Sequence, residues 1–275
     1  DGTAVNVDFT AYDTEENRQQ LADAGIVLKK GAAPSADFEP EYVAAGNSTA
    51  YVTLQEANAI AVIDLESRQV SGVYSAGYED YSRIAVDIDK KDEAYNPAVY
   101  ESLRGIRMPD GIALYSVDGV DYVVTANEGD SREWGDYLNE DERNFKDGET
   151  SPSGKITAEN SGLSGKVVFF DSSDYDGLDD GLDYVFGGRS FTVFRADETG
   201  LTEVYDSGSE FEAKTAEYIP ENFNCSNDDK SIDDRSGKKG PEAESVTIGT
   251  VGEKTYAFVG LERIGGVMVY DITDP

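Results

Sequence analysis

YAFVGLERIGGVMVYDI (256–272) and YVTLQEANAIAVIDL (51–65) are one phrase written twice, near opposite ends of a 275-residue chain. Each opens on tyrosine, runs through apolar residues to a glutamate, turns, and closes a second apolar run on aspartate. YVVTANE (122–128) and YVFGGRS (184–190) open in the same way, so the phrase recurs from Tyr51, Tyr122, Tyr184 and Tyr256. Short runs rich in Val, Ile, Tyr and Phe, bounded by Gly, Asp, Asn or Ser, read as strands. Second strands follow at AIAVIDL (59–65), SFTVFRA (190–196) and GVMVYDI (266–272), and after the second phrase at GKVVFFD (165–171), beyond a polar insertion over 134–164.

An upstream strand repeats as well. PDGIALYSVDGVDYVVTANE (109–128) aligns without gaps on AESVTIGTVGEKTYAFVGLE (243–262), and PEYVAAGNSTAYVTLQE (40–56) is a shorter version. With QVSGVYS (69–75) and LTEVYDS (201–207) the count reaches four strands per unit. A recurring four-strand meander is the pattern of a β-propeller blade, and face-to-face blades explain runs such as AIAVI that do not alternate. The expected fold is therefore all-β: a propeller of four-stranded antiparallel blades over 38–275, carrying long acidic loops and forming part of a larger propeller. Residues 1–37 are expected to hold a strand and a short helix leading in from a preceding blade. Asp13-Thr14-Glu15-Glu16 supplies a cap and Gly25 a stop for that helix.

The charge is lopsided, with 56 acidic against 23 basic residues and a net of −33. Such a surface repels nucleic acid and anionic lipid and attracts cations. No apolar run is long enough to span a membrane. Histidine is absent, which excludes a Ser-His-Asp triad, a histidine zinc site and a histidine general base. The lone Cys225 forms no disulfide within the chain. Sequons at Asn47 and Asn224 are candidate glycosylation sites of a secreted protein.

The repeats place acidic residues at matching points: Glu41 with Glu56, Asp110 with Glu128, Glu244 with Glu262. If the units superpose, these carboxylates converge, and converging carboxylates need cations or arginines beside them. Arg132, Arg189 and Arg263 sit near the corresponding points. The cluster reads either as an Arg–carboxylate network fixing the units or as a cation site or cleft, with Asp110, Glu128, Glu244 and Glu262 as candidate catalytic residues. DYDGLDDGLD (174–183) offers Asp174, Asp176, Asp179, Asp180 and Asp183 to Ca²⁺, which takes six to eight oxygens. Asp228, Asp229 and Asp233 form a second candidate set in the polar stretch 224–245. Tyr78, Tyr81, Trp134 and Tyr137 are the aromatics available to grip a sugar or peptide.

The motifs PEYVA, YVTLQEANAIAVIDL, MPDGIALY, YVVTANEGDSREW, FGGRSFTVF, YDSGSEFE, KGPEAESVTIG and YAFVGLERIGGVMVYDITDP, in this order from Phe38 to Pro275, resemble the choice-of-anchor I domain family. That resemblance implies a secreted, surface-attached module with propeller-like repeats, in a domain extending further on both sides. Family members carry alkaline phosphatase-like or mesenchyme-specific cell surface glycoprotein-like labels. The function expected is a structural or adhesive extracellular module stabilised by Ca²⁺, with surface or matrix proteins, or the rest of its own chain, as partners. The alternatives are a Ca²⁺-dependent phosphoesterase, which carboxylates alone can support, and a glycan- or peptide-binding propeller.

Overall fold

The phrase at 51–65 becomes the two middle strands of a four-stranded antiparallel meander. In this computed structural model, which describes residues 4–89 and 92–275, Pro40–Ala45, Thr49–Leu54, Ala59–Asp64 and Gln69–Ser75 pair in chain order as a first sheet. A second sheet is built from Ile112–Val117, Val120–Asn127, Ser190–Asp197 and Gly200–Asp206, and a third from Ala243–Val251, Lys254–Leu261 and Val267–Asp271. The gapless alignment of 109–128 on 243–262 holds residue for residue. Ile112 pairs with Thr125 as Val246 pairs with Val259, and Val117 with Val120 as Val251 with Lys254.

The three sheets pack face to face, and this explains the unbroken apolar runs. Tyr51 and Ile60 of the first sheet meet Val123 and Phe194 of the second. The second sheet's opposite face sends Val124, Phe191 and Val193 against Ala257 and Val259 of the third. Successive residues of a strand point to opposite faces, so a strand covered on both sides needs apolar residues at every position. The first sheet's outer face, through Val52, Leu54, Ala59 and Ala61, is covered by Leu21, Ile26, Leu28 and Phe38 of the N-terminal segment. Each fully buried side chain of this size stabilises the fold by roughly 1.5–3 kcal/mol.

That N-terminal segment contains the expected helix, Glu15–Asp23. Thr14 Oγ1 accepts from Asn17 N at 3.2 Å, and Asn17 occupies the place a capping-box glutamate would take. Gly25, at φ +81°, ends the helix, with Gly25 N donating to Ala22 O and Ile26 N to Leu21 O. Leu28–Lys29 then pairs antiparallel with Tyr175–Asp176. Residues 1–3 of the expected 1–37 connection lie outside the described residues.

The unit assignment needs correction in the middle of the chain. The phrases at Tyr122 and Tyr184 do not each open a meander of their own: Val120–Asn127 pairs directly with Ser190–Asp197, the second strand read for the Tyr184 phrase, and residues 128–189 are an insertion between them. Lys166–Phe170 is not the third strand of the second unit, because it pairs with Glu140–Asn144 inside that insertion. Val167 and Phe169 face one core and Val168 and Phe170 another, so the run has the two-sided burial of a repeated-sheet strand without belonging to any of the three stacked sheets. Asp183–Phe186 lies parallel to Leu103–Ile106, which also pairs antiparallel with Tyr78–Asp80. The acidic stretch 134–164 is thus partly ordered into strands and a short helix, Ala158–Ser161.

Candidate functional site

Stacking of the sheets brings the repeated acids together. Gly111 N donates across the gap between second and third sheets to Glu244 O at 2.9 Å, placing Asp110 beside Glu244. A Cβ at position 111 would lie 2.7 Å from that oxygen, so the approach requires glycine. Asp110 N donates to Ala126 O, and Glu262 N to Glu242 O. These bonds hold Asp110, Glu128, Glu244 and Glu262 at strand ends around one mouth, where Glu41 and Tyr42 join from the first sheet.

The electrostatics record the crowding. Burial, reinforced by Glu128, Glu244 and Glu41, pushes Asp110 up to about 7. Glu56 is raised to about 7, chiefly by burial, with Glu39 and Glu41 adding to it. Glu41 rises through burial and the nearness of Glu39 and Asp130, and burial raises Glu262. The exposed Tyr42 hydroxyl is raised by Asp110 and Glu244.

Part of the mouth is neutralised by cations. Lys239 Nζ sits 2.9 Å from Glu128, 3.4 Å from Asp130 and 3.1 Å from Glu242. Arg263 bridges Glu242 at 3.0 Å and Glu262 at 3.2 Å, while Arg235 Nε donates to Glu242 at 2.9 Å. Burial alone would raise Glu242, yet Lys239, Arg235 and Arg263 outweigh it and hold the carboxyl below its usual range. Glu128 stays raised by its burial despite Lys239 and the Gln55 amide. Glu128, Glu242 and Glu262 bring carboxylate oxygens within 4.8 Å of one another, so this is an ion network of three acids threaded by three bases.

Arg263 therefore behaves as the repeats suggest, Arg132 reaches Glu56 alone among the repeated acids, and Arg189 meets none of them. Arg132 is fully buried against Asp37 at 3.2 Å, donates to Glu56 O, and lies over the Tyr175 ring. Arg189 pairs with Glu212 at 2.6 Å and donates to the carbonyls of Asp87, Ser236 and Lys238. Arg235 and Glu242 were not legible as site residues, and Lys239, which the sequence offers with Lys238 to an anion, meets carboxylates of the chain itself. Their signal is R-S-G-K-K-G followed at once by P-E-A-E, a concentration of bases in an acidic chain.

The two acidic stretches behave differently from each other. In 174–183, Asp174 pairs with Lys29 at 3.3 Å and Asp176 with Arg18 at 2.7 Å. Asp183 is buried and accepts from the hydroxyls of Ser102, Ser151 and Ser153. Asp179 accepts from Gly181 N, and Asp180 is exposed. The loop does not gather its carboxylates around a shared point. In the second set Asp228 and Asp229 are exposed, whereas Asp233 turns inward to meet Asp87 and Asp92 within 4.8 Å.

Asn47 is exposed in the turn between the first two strands of the first sheet. Asn224 is fully buried, and its Nδ2, the atom a glycan would occupy, donates to Glu212 and Ser236. The fold has no room for a glycan there. Of the aromatics, Tyr81 is buried and the Tyr78 hydroxyl donates inward to Gly25 O. Trp134 remains accessible, stacked on Tyr137 at 5.8 Å with its indole donating to Glu39 at 3.1 Å.

Comparison with known proteins adds a lineage. The sequence profile described as the choice-of-anchor I domain matches residues 1–275. The chain is similar to a mesenchyme-specific cell surface glycoprotein of Strongylocentrotus purpuratus, 27% identical over 234 residues, covering 71% of this chain and 30% of that protein. It is also similar to gigasin-3a of Magallana gigas, 40% identical over 100 residues, covering 34% of each. The chain thus spans about a third of the length of these curated relatives. No solved structure matches. Among the described residues no helix is long and apolar enough to cross a membrane.

Proposed function

The chain belongs to the choice-of-anchor I domain family and is an extracellular or cell-surface protein, and on that premise we propose that it is a non-enzymatic docking module whose acidic mouth engages a cationic partner. In this reading the three stacked sheets are successive blades of a β-propeller, and the partner is a basic patch on another surface or matrix protein. The observation that carries the reading is the convergence of Glu41, Asp110, Glu128, Glu244 and Glu262 from all three sheets on one mouth. Carboxylates there outnumber the available bases, and the surplus sits on a chain of net charge −33. Complementary charge steers encounter and selects partners, while apolar and aromatic contacts add grip. Trp134, Tyr137 and Tyr42 lie in the same quarter of the surface through their links to Glu39 and Asp110.

A phosphoesterase reading is weaker on this geometry. The carboxylate triad of the mouth, Glu128, Glu242 and Glu262, is already occupied by Lys239 and Arg263, so a catalytic cation would have to displace them. The test is binding of a lysine-rich peptide at about 20 mM and about 0.5 M salt, where screening shortens the range of charge interactions severalfold. Binding is expected at low salt, lost at high salt, and weakened severalfold by Asp110→Asn or Glu41→Gln. Binding indifferent to salt and to both substitutions would overturn the proposal. So would Ca²⁺-stimulated phosphate release from a simple phosphomonoester that disappears in Asp110→Asn.

A further inference from the structure

Two largely irregular stretches, residues 82–89 with 92–102 and residues 219–242, carry acids that the mouth does not use. Asp87 and Asp92 on the first and Asp233 on the second each bring a carboxylate oxygen, and the three oxygens lie within 4.8 Å of one another. Asp87 and Asp233 are buried, at 1% and 0% exposure, and Asp92 is open to solvent. Bare carboxylates at that spacing repel strongly in a partly dry environment.

Acid clusters alone are common on such a chain, but this one has an unfilled interior oxygen. Asp233 Oδ1 accepts from the Ser236 hydroxyl, while Oδ2 is buried and receives no donor. Asn224, whose Nδ2 donates to the same Ser236 hydroxyl, also keeps a buried Oδ1 without a donor. Leaving such an oxygen unsatisfied costs about 1–3 kcal/mol, more when it is charged. The Asp87 carboxylate is held in place by the backbone N–H groups of Asp89 at 3.2 Å and Asn96 at 2.7 Å, which fixes its aim and leaves lone pairs for another ligand. Burial above all pushes Asp87 to about 7 and Asp233 to about 8, with neighbouring acids adding to it.

We propose that Asp87, Asp92 and Asp233 form a Ca²⁺ site that ties these two segments together. The donors are all hard oxygens, which select Ca²⁺ or Mg²⁺ over softer metals. Ligands drawn from irregular loops suit the flexible coordination of Ca²⁺ better than the strict octahedron of Mg²⁺. Asp92 supplies the open entry. The site goes beyond the docking role of the mouth but bears on it. Asp233 N donates to Phe223 O and Arg235 N to Asn224 O, so the cation would anchor the turn that carries Arg235, Lys239 and Glu242 into the mouth.

Calorimetric titration of the whole chain with CaCl₂, after chelation and dialysis, tests this directly. One Ca²⁺ per chain is expected, with a dissociation constant of about 0.1–1 mM as for other extracellular modules, and a higher melting temperature at saturating Ca²⁺. Asp92→Asn is the informative variant, because Asp92 is exposed and its replacement leaves the apo fold intact. It should weaken Ca²⁺ binding about tenfold or more, with a melting temperature in chelator that is unchanged or raised, since the substitution also relieves repulsion on Asp87 and Asp233. Asp180→Asn, in the other acidic loop, should bind Ca²⁺ like the parent chain. Absence of both heat and melting shift in the parent chain overturns the proposal. Binding that survives Asp92→Asn undiminished, or is lost in Asp180→Asn or Glu262→Gln, assigns the cation elsewhere and overturns it equally.

Discussion

The loop 174–183 and the mouth look alike in composition and differ in kind. In the loop three of the five acids have a partner of their own, Lys29 for Asp174, Arg18 for Asp176 and three serines for Asp183, and Asp180 is left to solvent. In the mouth acids from three sheets press on one another, and Lys239, Arg235 and Arg263 answer only some of them. Density of charge along a sequence therefore says little about density of charge in space. Five aspartates within ten residues are dispersed by the fold, while single acids separated by whole strands are collected by it.

Removing a counterion should expose the difference most strongly. Lys239→Met leaves Glu128 and Glu242 with one base fewer in a buried setting, and should destabilise the chain by about 3 kcal/mol in urea unfolding at neutral pH. Its effect should shrink toward pH 5, because Glu128 is already raised by burial and takes up a proton more readily once Lys239 has gone. A loss below about 1 kcal/mol would place the mouth in the same class as the loop.

Asp110 gives an effect of intermediate size and opposite sign. Its folded value of about 7 lies above the ordinary 3.8, so the folded state keeps a proton that the unfolded state has released. The corresponding stability is complete below the unfolded value and is lost as pH rises through about 7. Asp110→Asn removes that loss. The variant should be more stable than the parent by roughly 1–3 kcal/mol near pH 8, with the advantage vanishing near pH 4. A pH-independent difference would show that Asp110 does not feel its neighbours.

The smallest change is expected in the loop. Asp176→Asn breaks an ion pair with Arg18 whose carboxylate is 36% exposed, and should alter stability by less than about 1 kcal/mol in the same urea titration. A larger loss would mean that the loop, too, is a cooperative charge assembly.

The sequence carried the sheets where they repeat closely. The hairpins at 112–127 and 246–261 could be overlaid in advance because the two-residue turns, 118–119 and 252–253, fix the same register in both. It misled where two-sided burial occurs outside a repeated sheet. Val167, Val168, Phe169 and Phe170 lie between two cores of the insertion, and nothing in that run distinguishes it from the strand that pairs with Val120–Asn127. Convergence of Asp110 with Glu244 followed from superposing the repeats. Lys239, Arg235 and Glu242 did not, since they sit in a stretch without periodicity. Asp87 and Asp92 were passed over for the same reason, although D-I-D-K-K-D at 87–92 is a recognisable ligand-like spacing.

The bond from Gly111 N to Glu244 O joins neighbouring sheets through main chain alone. A junction made in this way does not depend on the side chains that lie around it. Descendants of this chain can exchange acid for amide or base around the opening and so change what they grip, provided the one residue without a side chain is left as it is.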